Sequence, residues 1–452
     1  MQHSLRPIAS LKCTTVCGIE RRSFSRQFMA LSLTVMFLFA SLHTLTEEST
    51  DVKSNEQSEL KLTPEQVASL VAARVAGTNW NEHPGGVGLD EGIVSKVTSN
   101  GDLYIAGNVC HDTSPCSATF GTTTIYAKDD IFIARLDTSG NWKWIAQTND
   151  SDSSATATLT DMDIDVYGHA YISGHFSRTK YWGTISKSSH PWTNTGSGYT
   201  LCSESEQDGF VAKLDSNGTW DWVQIMQDCY VGYAHGVAVD SNQYVHVVGN
   251  SRLDGGNSNP AARTVNFYGA SSSHASIQSP CTSSTYRHVP WLAKFDVNGE
   301  IQWVDRLSDK CLDVYMRDVA TDSTGSAIVT GWFYETNDEF LTFHGLSVSN
   351  SNGRTNAFIA KVNSSHGWEW LIHGGGAGHD ETTRLAIDSN NDIYLAGFNH
   401  GCDQYSYCEA KFGSNITITF GGGFVAKARS SGMWEWATRI SPIYNGQSWT
   451  TV

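Results

Sequence analysis

Carboxylates and imidazoles are the side chains whose spacing in this chain could support chemistry. Asp161-Met-Asp163-Ile-Asp165 sets three acids at alternate positions, the opening of a calcium loop. The bidentate Glu of an EF-hand loop does not follow, because position 172 is Ile. Two glycine-rich stretches end in paired acids, Gly85-Gly-Val-Gly-Leu-Asp90-Glu91 and Gly374-Gly-Gly-Ala-Gly-His379-Asp380-Glu381. A phosphate cradle needs such a stretch to open a helix, and here a strand pattern follows both. Paired carboxylates held about 5–10 Å apart can act as acid and base on a glycosidic bond. His111, His235, His379 and His400 lack metal-ligand spacing, and no Ser/His/Asp order is recognisable. Candidate binding residues are therefore Asp90, Glu91, Asp161, Asp163, His235, His379, Asp380 and Glu381, with no catalytic residue assigned.

These residues sit within an internal repeat, and the repeat determines which elements position them. An Asp or Thr is followed nine residues later by Gly at Thr98…Gly107, Asp165…Gly174, Asp240…Gly249, Asp322…Gly331 and Asp388…Gly397. An aromatic-aliphatic-Ala-Lys/Arg run is followed by Trp ten residues after the Ala. It occurs at Ala134…Trp144, Ala212…Trp222, Ala293…Trp303, Ala360…Trp370 and Ala426…Trp436. Apolar strand A ends at the Asp, and a tight Asp/Asn/Ser/Gly turn leads to strand B, which ends at the Gly. Strand C carries Phe-Ile/Val-Ala-Lys, and strand D carries Trp-x-Trp, whose indoles share one face. Such a four-stranded unit cannot bury both faces alone, whereas radial stacking of five units buries them. The Trp residues are read as packing between units, not as a sugar platform.

The pattern resembles the β-propeller repeat family known as SBBP repeats, found in exported prokaryotic proteins. The resemblance is carried by Asn391-Asp-Ile-Tyr-Leu-Ala-Gly397 with Gly423-Phe-Val-Ala-Lys427, and by Gln207-Asp-Gly-Phe-Val-Ala-Lys213. It covers about residues 85–440. The expected fold is all-β: a propeller of five four-stranded antiparallel blades, at about 85–149, 150–227, 228–308, 309–375 and 376–440. The termini leave open a sixth partial blade or a clasp. Val75–Trp80 falls where a strand D would precede unit 1, and Ser448–Val452 where a further strand A would begin. If strand A lines the channel, Asp161 and Asp163 could hold a cation such as calcium there. No other cofactor is expected.

The A–B and C–D turns keep nearly constant length, but the B–C connection does not. From the repeat Gly to the repeat Ala the intervals are 27, 38, 44, 29 and 29 residues. B–C and D–A connections open on one face, where such scaffolds bind. Eight cysteines follow the N-terminal segment, which suggests disulfides in an oxidising compartment. Cys110 and Cys116 share one B–C connection, and Cys402 and Cys408 another. Cys202–Cys229 and Cys281–Cys311 would each tie a B–C connection to the D–A connection that follows.

Arg21, Arg22 and Arg26 precede an apolar run from Phe28 to about Leu45, and Glu47, Glu48 and Asp51 follow it. That asymmetry delivers the rest of the chain across a membrane. Residues 1–45 therefore read as a signal peptide or a single transmembrane anchor. Residues 46–61 read as a linker and 62–77 as a short helix opened by Thr63-Pro64-Glu65-Gln66. The repeat domain occupies 78–452. Net charge is −16, and an acidic surface repels phosphate backbones, which excludes nucleic acid as the expected partner. The expectation is an extracellular or cell-surface scaffold that binds a protein or glycan, rather than an enzyme. The alternatives are a five-bladed glycoside hydrolase with channel acids and a structural surface-layer component.

Overall fold

The computed structural model describes residues 85–440 except 87, 112–114, 151–153, 190–206, 229, 255–262, 272, 282–285, 335–339, 350–354, 400–407 and 421. The expected signal or anchor, linker, helix and terminal clasp pieces lie outside the described residues. The fold is all-β, and no α-helix occurs among the described residues.

After β1 (Gly85–Gly86), six strands recur per unit. Unit 1 has β2 (Glu91–Val97), β3 (Leu103–Val109), β4 (Cys116–Phe120), β5 (Thr123–Ala127), β6 (Asp130–Leu136) and β7 (Trp142–Asp150). Unit 2 has β8 (Thr156–Ile164), β9 (Ala170–Ser177), β10 (Thr179–Trp182), β11 (Ile185–Ser188), β12 (Gln207–Leu214) and β13 (Trp220–Gln227). Unit 3 has β14 (Val231–Val239), β15 (Val245–Asp254), β16 (Thr264–Tyr268), β17 (His274–Gln278), β18 (Tyr286–Phe295) and β19 (Ile301–Arg306). Unit 4 has β20 (Asp313–Thr321), β21 (Ala327–Tyr334), β22 (Phe340–Phe343), β23 (Leu346–Ser349), β24 (Thr355–Val362) and β25 (Trp368–Gly376). Unit 5 has β26 (Asp380–Ile387), β27 (Ile393–Asn399), β28 (Cys408–Phe412), β29 (Ile416–Phe420), β30 (Gly422–Ala428) and β31 (Trp434–Arg439).

In each unit the first, second, fifth and sixth strands pair antiparallel in chain order, as strands A, B, C and D. The turns follow the chemistry read from sequence. Asp165, Asp240, Asp322 and Asp388 each accept the N–H groups two and four residues on, closing the A–B turn. The repeat cation of strand C reaches back to that turn: Lys361 lies 3.0 Å from Asp322, and Lys427 lies 2.8 Å from Asp392.

The B–C connections, expected as loops, contain a hairpin in all five units. An aromatic anchors each one: Phe120, Trp182, Phe267, Phe343 or Phe412. Four pack on the unit's own strand C aromatic, with centroids at 4.9 Å (Phe120–Phe132), 5.3 Å (Trp182–Phe210), 5.1 Å (Phe267–Trp291) and 5.3 Å (Phe412–Phe424). Each hairpin also reaches the preceding unit's strand D or, in unit 4, the D–A connection that follows it. β10 pairs with β7, β16 with β13 and β28 with β25, while the Asp309 N–H donates to the Thr342 carbonyl at 2.7 Å. β1 pairs with β4 in the same way. Gly85 and Gly86 follow Trp80 by five and six residues, as Asn149 and Asp150 follow Trp144. β1 therefore occupies the end of a strand D position ahead of unit 1.

The second Trp of strand D seals three of these junctions from the other edge. Trp144 donates to the Ser216 carbonyl at 3.0 Å, Trp222 to Val297 at 2.9 Å and Trp370 to Ser430 at 3.2 Å. Each acceptor is in the C–D turn of the next unit. These indoles are packing residues, as their fixed place in the repeat implied.

Candidate functional site

Strand A of each unit touches strand A of the next, through β2, β8, β14, β20 and β26 in order. Each of these strands carries a β-bulge at the same place. The extra residues are Ile93, Thr160, His235, Arg317 and Thr383, all half-buried. A bulge turns a side chain out of the regular alternation. It also explains the repeat glycine. A Cβ on Gly107, Gly174, Gly249, Gly331 or Gly397 would stand 2.0–2.3 Å from a strand A carbonyl oxygen. No side chain fits there.

Beside the bulges lies a charged cluster. Asp161 Oδ2 accepts the Val237 N–H at 3.1 Å and Asp163 Oδ2 accepts the Val239 N–H at 2.9 Å. Asp318 Oδ2 accepts the Leu385 N–H at 2.8 Å. These acids hold the next strands' backbones, and two cations balance them. Lys96 Nζ lies 3.0 Å from Asp163. Arg384 Nη1 lies 3.9 Å from Asp161 and 3.8 Å from Asp318, and its Nη2 donates to the Thr160 carbonyl at 3.2 Å. Burial opposes the Lys96 charge, but Asp163 and Asp161 outweigh it and raise its pKa. Burial also raises Asp318 well above the usual carboxylate range.

Around His235 the surface becomes aromatic. Tyr233 meets His175 edge-on at 4.7 Å and lies 5.8 Å from the His235 ring. Tyr315 packs on His288 at 4.2 Å and stacks on Trp332 at 4.0 Å. Desolvation lowers His175 to about 4, and it lowers His235 to about 3 with help from the charge of Arg317. Both rings are therefore neutral at physiological pH, each able to donate and accept a hydrogen bond. Arg317 faces Glu381 at 3.4 Å and keeps 38% of its side chain exposed. His175 Nδ1, Arg317 Nε and Trp332 Nε1 are buried atoms without a hydrogen-bond partner. Stacking rings, neutral imidazoles and an Arg–Glu pair can hold a flat ligand rich in polar groups.

The structure distributes the sequence candidates among different roles. His235 and Glu381 join the aromatic wall. Asp161 and Asp163 join the charged cluster. Asp90 accepts the Cys110 N–H at 3.0 Å, at the start of strand A in unit 1 beside Glu91. Asp380 is fully buried, accepts from the Gly376 N–H at 2.9 Å and from Asn399 at 2.6 Å, and is pushed up to about 6 by burial. His379 meets the Thr355 hydroxyl. His111 lies 3.3 Å from Asp129, and His400 lies outside the described residues. Lys96, Arg317, Arg384, Tyr233, Tyr315 and Trp332 also belong to these surfaces and carry no signal in the sequence. No spacing rule marks them, since the bulges that assemble them leave no pattern of residue types.

Among the described residues two disulfides are formed, Cys110–Cys116 and Cys281–Cys311. The second ties the B–C connection of unit 3 to the D–A connection after it, as the repeat positions implied. Asp90 stands close to Cys110 and Cys116, but those sulfurs are oxidised and not thiolate ligands. Cys202, Cys229 and Cys402 lie outside the described residues, and so does the side chain of Cys408.

The chain is thus an all-β repeat protein with a charged and aromatic surface built on its first strands. No family model matches it, and no curated protein matches it. Among solved structures it is similar to a protein of unknown function from Dyadobacter fermentans, at 10% identity and a TM-score of 0.35, over 78% of this chain and 95% of that one. It is also similar to a luciferin-regenerating enzyme at 11% identity and a TM-score of 0.29, over 81% and 99%. A Bacteroides caccae protein of unknown function has 9% identity and a TM-score of 0.26, over 68% and 89%. Likeness at this level supports no functional inference.

Proposed function

We propose that the five four-stranded units are blades of a β-propeller of the SBBP-repeat kind, and that the chain is an exported scaffold binding a protein or glycan. Successive contact between the A strands supports radial stacking, as do the hairpin and Trp seams. Two disulfides and the basic-then-apolar N-terminus support export to the cell surface, secreted or anchored. The observation that carries the binding reading is the wall of Tyr233, His235, Tyr315, Arg317, Trp332 and Glu381. The repeat does not require these residues, and they lie at the bulges of adjacent units.

Screening the full chain against glycans and surface proteins, with and without EDTA, tests the proposal. A ligand whose binding falls with Trp332→Ala or Arg317→Ala is expected. A ligand indifferent to both, or none at all, would count against it. The glycoside hydrolase reading has one observation in its favour, that Asp161 and Asp318 share Arg384. Both acids are at most 7% exposed and hold backbone N–H groups, which favours binding. Glycan cleavage lost in Asp318→Asn would reverse that preference.

A further inference from the structure

Two turns of unit 2 depart from the repeat, and they lie against each other. After the turn residue, the A–B turns of units 1, 3, 4 and 5 read Ser99-Asn100, Ser241-Asn242, Ser323-Thr324 and Ser389-Asn390. Unit 2 has Val166-Tyr167 there, 80% and 62% exposed. Single exposed apolar residues are ordinary, but four sister turns show that this place takes small polar side chains. The Val and Tyr side chains add nothing to the turn, because Asp165 closes it through the backbone N–H groups of Tyr167 and His169.

The C–D turn of the same unit, Asp215-Ser-Asn217-Gly-Thr219, contains an Asn-x-Thr sequence. Unit 3 has Asn298-Gly-Glu300 in the same place and lacks the hydroxyl. Asn217 and Thr219 are exposed. Asp215 closes the turn by accepting their backbone N–H groups at 2.9 and 2.8 Å. Among the described residues the Asn217 carboxamide has no hydrogen-bond partner. Unit 4 uses its own sequence of this type differently: Asn363 Oδ1 accepts the Ser365 and Gly367 N–H groups and is itself the turn closure. Both turns of unit 2 are held by unit 1. Tyr104 donates to the Gly168 carbonyl at 2.8 Å, and Trp144 and Arg135 donate to the Ser216 carbonyl at 3.0 and 2.8 Å. A Cβ on Gly168 would stand 3.6 Å from the Ser216 Cβ. Tyr167 and Asn217 each adjoin a residue at that contact.

We propose that Asn217 is an N-glycosylation site whose first sugars cover Val166 and Tyr167, a reading that rests on the export proposed above. Asn-x-Thr is the acceptor sequence in exported chains, and the glycan it receives is bulky and solubilising. The donor is an oligosaccharide joined through its anomeric carbon to a polyprenyl diphosphate. Asn217 Nδ2 bonds to that carbon as the carbon–oxygen bond to the diphosphate breaks. The diphosphate leaves with the electron pair, and a base of the transferase takes the proton from Nδ2. Tyr167 lies 6.0 Å from the His169 ring and keeps most of its surface in solvent. Its flat apolar face with a polar tip suits the apolar face of a pyranose. The A–B and C–D turns lie at the opposite end of the unit from the B–C and D–A connections, so the glycan leaves the connection face open.

The test isolates the full chain from the cells that make it, alkylates free thiols, and digests it with peptide-N-glycosidase in heavy-oxygen water. The Asn217 peptide is expected to return a labelled Asp. Asn298, also followed by Gly, controls for spontaneous deamidation, and label at Asn217 no greater than at Asn298 overturns the proposal. Cys281 and Cys311 in the same digest locate such a failure: a bonded pair places it at Asn217, and alkylated thiols place it in the export reading. Thr219→Ala removes the acceptor sequence and keeps the turn, which Thr219 joins only through its backbone. Made in the same cells, it is expected to aggregate several-fold faster than the wild type. Adding Val166→Ser and Tyr167→Asn, the residues of the sister turns, is expected to restore the wild-type rate. A Thr219→Ala chain that aggregates no faster than the wild type overturns the covering of Val166 and Tyr167.

Discussion

Lys180 offers the sharpest test of how the units are held together. It lies on hairpin strand β10 of unit 2 and is fully buried. Its ammonium donates to Asp130 Oδ1 at 2.9 Å and to the Asp129 carbonyl at 3.1 Å, and stands 3.4 Å from Asp150 Oδ2. Asp130 also accepts the Thr148 hydroxyl at 2.8 Å and the Lys128 N–H at 3.0 Å. One cation from unit 2 thus neutralises two acids of unit 1. At an effective dielectric near 20, each contact contributes roughly 5 kcal/mol of attraction, offset by the desolvation of the charges. Lys180→Met keeps most of the stem and deletes the charge, leaving Asp130 buried beside Asp150. Breaking a buried pair this way costs roughly 3–5 kcal/mol. Guanidinium unfolding followed by tryptophan fluorescence should show that loss. Adding Asp130→Asn should recover part of it, because the stranded charge is removed too. A loss under about 1 kcal/mol, or no recovery in the double variant, would refute the reasoning and place the pair with weak surface ion pairs.

Further outcomes follow from the same structure. Trp370→Ala should cost about 3 kcal/mol in unfolding experiments, because that indole seals the junction with unit 5. Trp436→Ala should cost under about 1 kcal/mol, since Trp436 is 37% exposed. Replacing Cys281 and Cys311 by Ser opens a 30-residue loop and should cost about 4 kcal/mol. The same change at Cys110 and Cys116 opens a six-residue loop and should cost about 2 kcal/mol, both read from unfolding midpoints. Asp380 is raised to about 6, so the folded state keeps a proton that the unfolded state loses from about pH 4 upwards. Stability should fall by about 3 kcal/mol as pH rises through that window, and Asp380→Asn should remove this slope. His175 is lowered to about 4, so its contribution has the opposite sign. It is lost as pH falls from about 6.5, and His175→Asn should flatten the acid limb of a pH–stability series.

The repeat was legible because its residues do local work. Asp165 and Asp388 bond their own turns, and the Ala and Phe of strand C are buried wherever the motif recurs. The repeat Gly was visible as a period but not as a cause, because the strand A carbonyl that excludes a Cβ comes from about 16 residues away in the chain. The hairpins are not legible in the sequence, because their short strands lie in connections of unequal length, which hides the recurring aromatic. Asp161 and Asp163 stand out in the sequence as acids, but their partners Val237, Val239 and Lys96 lie on other units.

By itself, the sequence determined the all-β character, the order of strands A to D with the A–B and C–D turns, and the Cys281–Cys311 pair. These depend on side-chain alternation, turn chemistry and repeat position, all short-range or periodic properties. Only the tertiary structure decided which side chains meet between units. That choice rests on bulges, hairpin seams and left-handed turns, where backbone geometry brings distant residues together. The Val166-Tyr167 turn and the Asn217 turn are far apart in the chain, and they become neighbours because Tyr104 and Trp144 of unit 1 hold one each.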